Sequence, residues 1–232
     1  MQFNHDYVDS FFDYNSSSLK NCAASDFEKN FVEIACAYRL DPLCSAVIAR
    51  RILEQMGHHS LHYHTPVHVL AMLQFYDKFV KPHLTLTHEV LTAIFFHDVV
   101  YLPGSETNEA ESVRWMKNVF GPWLPFDDRE EVISKAILDT ALYYKDDLDS
   151  SHCLVLMDLD LCNFAFDFES YNTASELVMK EFEFNGKDVV RAGRKEFLKK
   201  LISRPKIYRT PLFQELFEEK ARKNIDKTLL SS

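Results

Sequence analysis

His97-Asp98 closes the apolar run Leu91-Thr92-Ala93-Ile94-Phe95-Phe96, and this pair restricts the folds open to the chain. The run is too apolar to face water. An unpaired carboxylate buried with it is costly, and a metal ion is one of the few partners that satisfies an adjacent histidine and aspartate together. A fold that buries the run must therefore bring further ligands to it. Tyr63-His64-Thr65-Pro66-Val67-His68 lies upstream and Leu156-Met157-Asp158-Leu159-Asp160-Leu161 downstream. In chain order the set reads His…His-Asp…Asp.

Cap and stop signals divide the chain into helices. Ser25 with Glu28 forms a capping box for a helix running toward Tyr38. Asp41-Pro42 opens the next, which Gly57 ends. Thr65-Pro66 starts a helix that runs to Val80 before Pro82. Thr87 caps the one carrying His97-Asp98, and Pro103-Gly104 breaks it. Further helices begin at Thr107, at Asp128 with Glu131, at Ser150 or Ser151, at Asp167, at Asp188 and at Thr210-Pro211. The segment CLVLMDLDL also suits a buried strand by composition, but its helical neighbours favour helix. The expectation is one all-α domain over residues 25–232, a helical bundle with a metal site in its core, preceded by a loosely held arm at 1–24.

Helical periodicity turns the ligand-type groups inward. His68 shares a face with Ala71, Met72 and Phe75. His97 aligns with Val90, Ala93 and Ile94, and Asp98 with Leu91, Ile94 and Phe95. Asp160 aligns with Leu156, Met157 and Phe164, whereas Asp158 points about 200° away from it. The apolar neighbours favour Asp160 as the ligand without deciding the matter. A single histidine on an apolar face is more often a hydrogen-bonded core residue, and His58, His59, His83, His88 and His152 are read that way.

The bulk numbers exclude several function classes. Twenty-six basic residues stand against 35 acidic ones, for a net charge of −9, which disfavours non-specific binding to nucleic acid or to anionic membranes. Cysteines 22, 36, 44, 153 and 162 are odd in number and form no CxxC, a pattern of reduced thiols in a cytoplasmic protein. The N-terminal stretch has no basic start and no sustained apolar core, so no secretory signal is expected. The longest uncharged run, Gln55 to Tyr76, holds five histidines, a glycine and a proline and is no membrane span. Lys187 to Arg209 holds nine basic residues against Asp188 and Glu196. Such a run reads as a solvated helix face, or as a local field in which Arg194 contacts a substrate phosphate.

The ordered motifs resemble the HD superfamily of metal-dependent phosphohydrolases, over about residues 45 to 226. They are Tyr63-His64-Thr65-Pro66-Val67-His68, Phe96-His97-Asp98-Val99-Val100-Tyr101, Asn108-Glu109-Ala110-Glu111-Ser112 and Met157-Asp158-Leu159-Asp160-Leu161. Gly193-Arg194, Arg204-Pro205-Lys206-Ile207-Tyr208 and Ala221-Arg222-Lys223-Asn224 add C-terminal elements similar to those of the branch described as predicted metal-dependent HD-type phosphohydrolases. The resemblance implies an all-α fold with His68, His97, Asp98 and Asp160 as metal ligands. The first motif is also similar to that of cyclic-nucleotide phosphodiesterases. That likeness implies His64 as proton donor to the leaving oxygen and Glu109 as the residue that positions the attacking water. Tyr63, Asn108 and Arg194 are expected at the substrate. The chain departs from the branch at Tyr143, where a histidine is common, and at Cys162-Asn163, where Leu-Gly is usual.

The implied activity is hydrolysis of a nucleotide or another small phosphoester by metal-activated water. Two histidines and two carboxylates suit Mn, Fe, Zn or Ni, with Mg at a more oxygen-rich position. The alternative is a catalytically silent module that binds metal together with a nucleotide or a partner protein. An HD-type di-iron oxygenase would need more histidine ligands. Homo-oligomer formation stays open.

Overall fold

The computed structural model describes residue 14 and residues 17–57, 61–125, 127–145, 147–149 and 153–231. His58, His59, His152 and the expected cap at Ser150 or Ser151 lie outside the described residues, as do residues 1–13 of the expected arm. The described chain forms α1 (Ser17–Ala35), α2 (Pro42–Gly57), α3 (Pro66–Phe75), α4 (His88–Phe96), α5 (Asn108–Val119), α6 (Arg129–Asp139), α7 (Leu154–Asp160), α8 (Phe168–Glu181), α9 (Lys187–Ser203), α10 (Pro211–Leu216) and α11 (Glu218–Ser231). No strand occurs among the described residues, and the fold is all-α. CLVLMDLDL is helical as α7.

Side-chain caps set several helix starts. Asp41 Oδ1 accepts from Leu43 N–H at 2.9 Å, and Asp167 Oδ1 accepts from Ser170 N–H at 2.9 Å. Thr87 and Thr210 cap α4 and α10 through their hydroxyls, each satisfying a donor that has no partner within the helix. Pro66 and Pro211 occupy first-turn positions, where their missing N–H is harmless.

Four boundaries differ from the expected ones. α1 begins at Ser17, so the Ser25–Glu28 box lies inside a helix; Ala23, Phe27, Phe31 and Ala35 form a buried stripe at i+4 spacing that carries the helix through Ser25. After Phe75 the chain widens into a π turn over Tyr76–Val80, in which Lys81 N–H donates to Tyr76 O. That turn buries Tyr76, Phe79 and Val80 together. α4 stops at Phe96, which leaves His97-Asp98 in the turn after it rather than within it. The final helix divides at Phe217 into α10 and α11, because Glu218 turns back to accept the N–H groups of Ile207 and Tyr208.

The core surrounds α3, of whose ten residues seven are buried. α1 packs on α2, α3 and α4, and α4 packs on α6. On one side Phe27 and Phe31 meet the Phe95 ring edge-on at 4.9 and 5.2 Å. On the other, Phe75 meets Phe166, Phe213 and Phe217. Each such ring stabilises the fold by about 1.5–3 kcal/mol through burial.

The C-terminal motifs act as clamps. Asn224 Nδ2 donates to Phe164 O and to Phe166 O, both at 2.8 Å. Arg222 donates to the carbonyls of Ile202, Arg204 and Pro205. Asp158 accepts from Arg209 N–H at 2.6 Å, Thr210 N–H at 2.8 Å and the Thr210 hydroxyl at 2.7 Å. These bonds fix α7 and the turn after it, which is where Asp160 sits. No described helix is long and apolar enough to cross a membrane.

Candidate metal centre

Three segments converge beside α3. His68 lies one turn into α3, His97 and Asp98 follow the end of α4, and Asp160 ends α7. One ligand atom from each of these four side chains lies within 4.8 Å of all the others. Ligand bonds of about 2.0–2.4 Å place opposite ligands of one ion about 4–4.8 Å apart, so the group matches the span of a single coordination sphere. Both histidines are fully buried.

The protonation pattern fits a cation. His97 Nδ1 lies 2.9 Å from Ile94 O, so its N–H donates to that carbonyl and the Nε2 lone pair faces the carboxylates. Nε2 is buried with no hydrogen-bond partner, although Asp98 Oδ2 is 3.0 Å away and Asp160 Oδ1 3.6 Å. His68 Nε2 lies 2.9 Å from Asp160 Oδ1 and 3.9 Å from Asp98 Oδ2. Burial opposes the His97 cation, but the Asp98 and Asp160 carboxylates overcome it and hold the imidazole well above its ordinary pKa. Burial lowers His68, against the pull of Asp160. Burial would raise both aspartates, yet the imidazoles hold Asp98 and Asp160 below the usual carboxylate range. A proton and a metal ion compete for the same lone pair on His97. The donor set and the unpartnered Nε2 both fit a divalent cation.

Asp158 and Asp160 separate cleanly. Asp160 joins the cluster, while Asp158 faces the other way and is held by the turn at Arg209 and Thr210. Burial pushes the Asp158 carboxyl up to about 7, against those hydrogen bonds.

His64 stands beside the cluster, its ring 6.0 Å from that of His68 and stacked at 3.6 Å on Tyr101. Its Nδ1–H donates to Glu181 Oε2 at 2.6 Å. The other carboxylate oxygen of Glu181 accepts the N–H groups of His62, Tyr63 and His64, at 2.7, 2.6 and 3.0 Å. Burial works against the His64 cation, yet the Glu181 hydrogen bond and the Asp98 charge prevail and raise its pKa. Glu181 was not among the residues expected at the site. It ends α8 on the same stripe as Tyr171, Ala174 and Val178, and a carboxylate on an apolar face is the signal that singled out Asp98.

Glu109 is half-buried in the first turn of α5, outside the four-ligand group. Burial raises its pKa, and the Asp98 and Asp160 charges add to the rise. Asn108 engages both ends of its amide with Leu102: Oδ1 accepts from Leu102 N–H at 2.9 Å and Nδ2 donates to Leu102 O at 3.1 Å. Ser112 does the same to Val100, at 3.1 and 3.2 Å. The Asn108-Glu109-Ala110-Glu111-Ser112 motif therefore pins the segment after His97-Asp98, with Glu109 within the electrostatic influence of Asp98 and Asp160.

A cavity of about 460 Å³ opens from this centre. Tyr63, His64, Tyr101 and Asp160 line it, together with Tyr143 and Arg194. Tyr63 is buried, with its ring 4.7 Å from that of His68. Tyr143 O accepts from Arg204 and Arg209. No protein-family model and no curated protein matches the chain.

Proposed function

We propose that the chain is a metal-dependent phosphohydrolase of the HD type, acting on a nucleotide or another small phosphoester. His68, His97, Asp98 and Asp160 would hold the cation. Support comes above all from the unpartnered Nε2 of His97, buried within a four-donor group and set beside a second, hydrogen-bonded histidine that opens on the same cavity. The cation, when bound, would supply a Lewis acid for the phosphoryl oxygens and lower the pKa of water near it.

The remaining work falls to the chain's own side chains. Glu181 is a positioning residue: it fixes the His64 tautomer and favours its protonated form. His64 then carries a proton available to the leaving oxygen. Glu109, with its pKa raised by burial and by two carboxylates, is suited to accept a proton from the attacking water. Tyr101 stacks on His64 and limits the orientations its ring can take.

The test is metal analysis of the purified protein followed by assay against mono-, di- and cyclic phosphate esters. Bound divalent metal with turnover of at least one ester is expected. Bound metal with no turnover across the panel would leave the second reading, a silent metal-binding module, which is favoured by the position of Tyr143 on the cavity wall.

A further inference from the structure

The cavity that opens on the metal centre also contains a cation that the chain does not neutralise. Arg194, on α9, lines it. Its Nε donates to Ser175 Oγ at 3.0 Å, and its guanidinium lies 5.5 Å from the Phe164 ring centroid and 5.1 Å from that of Phe197. Nη2 is buried with no hydrogen-bond partner. No carboxylate among the described residues pairs with it; its polar neighbours are the neutral hydroxyls of Tyr171, which is within hydrogen-bonding reach of the guanidinium, and of Tyr63 and Tyr144. Asp98 and Asp160 interact instead with His68 and His97, so the guanidinium and the metal centre are separate charged points on one cavity. Much of the remaining lining is apolar, with Leu161, Val178, Met179, Phe182 and Val190.

We infer that Arg194 receives a carboxylate carried by the organic part of the substrate, away from the reacting phosphate. This rests on the phosphohydrolase reading. A guanidinium in an apolar site attracts a planar anion that can take two parallel hydrogen bonds, and a singly charged carboxylate loses less hydration there than a second phosphate does. The volume accommodates one small molecule. Asn163 and Asn185 also line the cavity and can serve a few neutral polar groups, but a polyphosphate tail would set several charged oxygens against the apolar part of the wall, at a cost for each unsatisfied group. The substrate class is therefore a small phosphomonoester with a flat, weakly polar body and a distal carboxylate.

The decisive comparison uses 4-carboxyphenyl phosphate and 4-carbamoylphenyl phosphate, which share shape and differ in charge. With Mn²⁺-loaded protein, kcat/KM is expected to favour the carboxylate by about tenfold or more. A ratio near one, or a preference for the amide, overturns the inference. A readout independent of turnover is calorimetric binding of 4-hydroxybenzoate and 4-hydroxybenzamide to metal-free protein, with the benzoate expected to bind about tenfold tighter or better. If neither ester is hydrolysed but the benzoate still binds tighter, the hydrolase reading fails while the carboxylate site stands. If esters are hydrolysed without charge preference, the reverse holds. In Arg194→Met both ratios should fall to near one, and Arg194→Lys should restore part of them. Thermal melts of both variants establish that they fold, and the wild-type ratios decide the question if they do not.

Discussion

Asp158 and Asp160 lie two residues apart on α7, the first buried and the second partly so, and their environments are opposite. Asp158 is surrounded by groups that donate to it and bind no metal there: two backbone N–H groups and the Thr210 hydroxyl. Asp160 meets two imidazoles, whose nitrogens can bind either a proton or a metal. The first arrangement is complete as it stands. The second has an unpartnered nitrogen at its centre. A buried carboxylate is thus no marker of function by itself; what marks the site is that its neighbours are ligands too and remain unsatisfied together.

The contrast can be broken by substitution. Asp160→Ala and Asp98→Ala should each reduce metal affinity by more than the ~10–100-fold expected from losing an outer hydrogen-bond partner. Asp158→Ala removes no donor from the group and should lower metal affinity much less than either, through the looser placement of α7 alone. Elemental analysis of the three purified variants checks this, and full occupancy in Asp98→Ala would remove that residue from the site. In stability the ranking reverses. Asp158→Ala leaves the Arg209 and Thr210 donors buried without an acceptor and should cost about 3 kcal/mol in urea unfolding of metal-free protein, more than Asp160→Ala.

A subtler test concerns Glu181, a further buried carboxylate, which combines both environments by accepting from three N–H groups and one imidazole. Burial would raise its pKa, but the His64 bond prevails and holds it below the ordinary 4.5. A depressed carboxylate stabilises the fold above its unfolded pKa, and that stability is lost as pH falls through the folded value. Wild-type protein should therefore lose more stability than Glu181→Gln on acidification below about pH 4.5. Parallel acid-dependent unfolding curves for the two would contradict the assignment. The smallest effect is expected from Ser112→Ala, about 1 kcal/mol in the same measurement, because only one pair of bonds to Val100 is lost.

Helix identity and the four converging ligand-type side chains were legible in the sequence because both rest largely on local signals: caps, breakers and polar groups in apolar runs. His68 and Asp160 meet from the helix faces expected of them, whereas His97 and Asp98 reach the group from the turn after α4. What stayed hidden depends on contacts far apart in the chain. Glu181 reaches His64 across 117 residues and looks locally like another acidic residue in Met179-Lys180-Glu181-Phe182-Glu183. The start of α1 was missed because a capping box is a weaker force than the buried stripe that overrides it. Asn108 looked like a substrate contact from its motif, yet the structure binds both ends of its amide to Leu102. The division at Phe217 follows from Glu218 serving Ile207 and Tyr208, a tertiary requirement that no helix signal announces.

The bonds from Arg209 and Thr210 to Asp158, and from Asn224 to the turn at 164–166, carry a consequence for biosynthesis. All four side chains of the candidate metal group have been synthesised once residue 160 is added. The groups that anchor their last member follow roughly 50 to 65 residues later. A nascent chain thus holds its ligands well before it can arrange them. Capture of an ion by this group would then be a late event of translation, timed by the C-terminal helices rather than by the four side chains themselves.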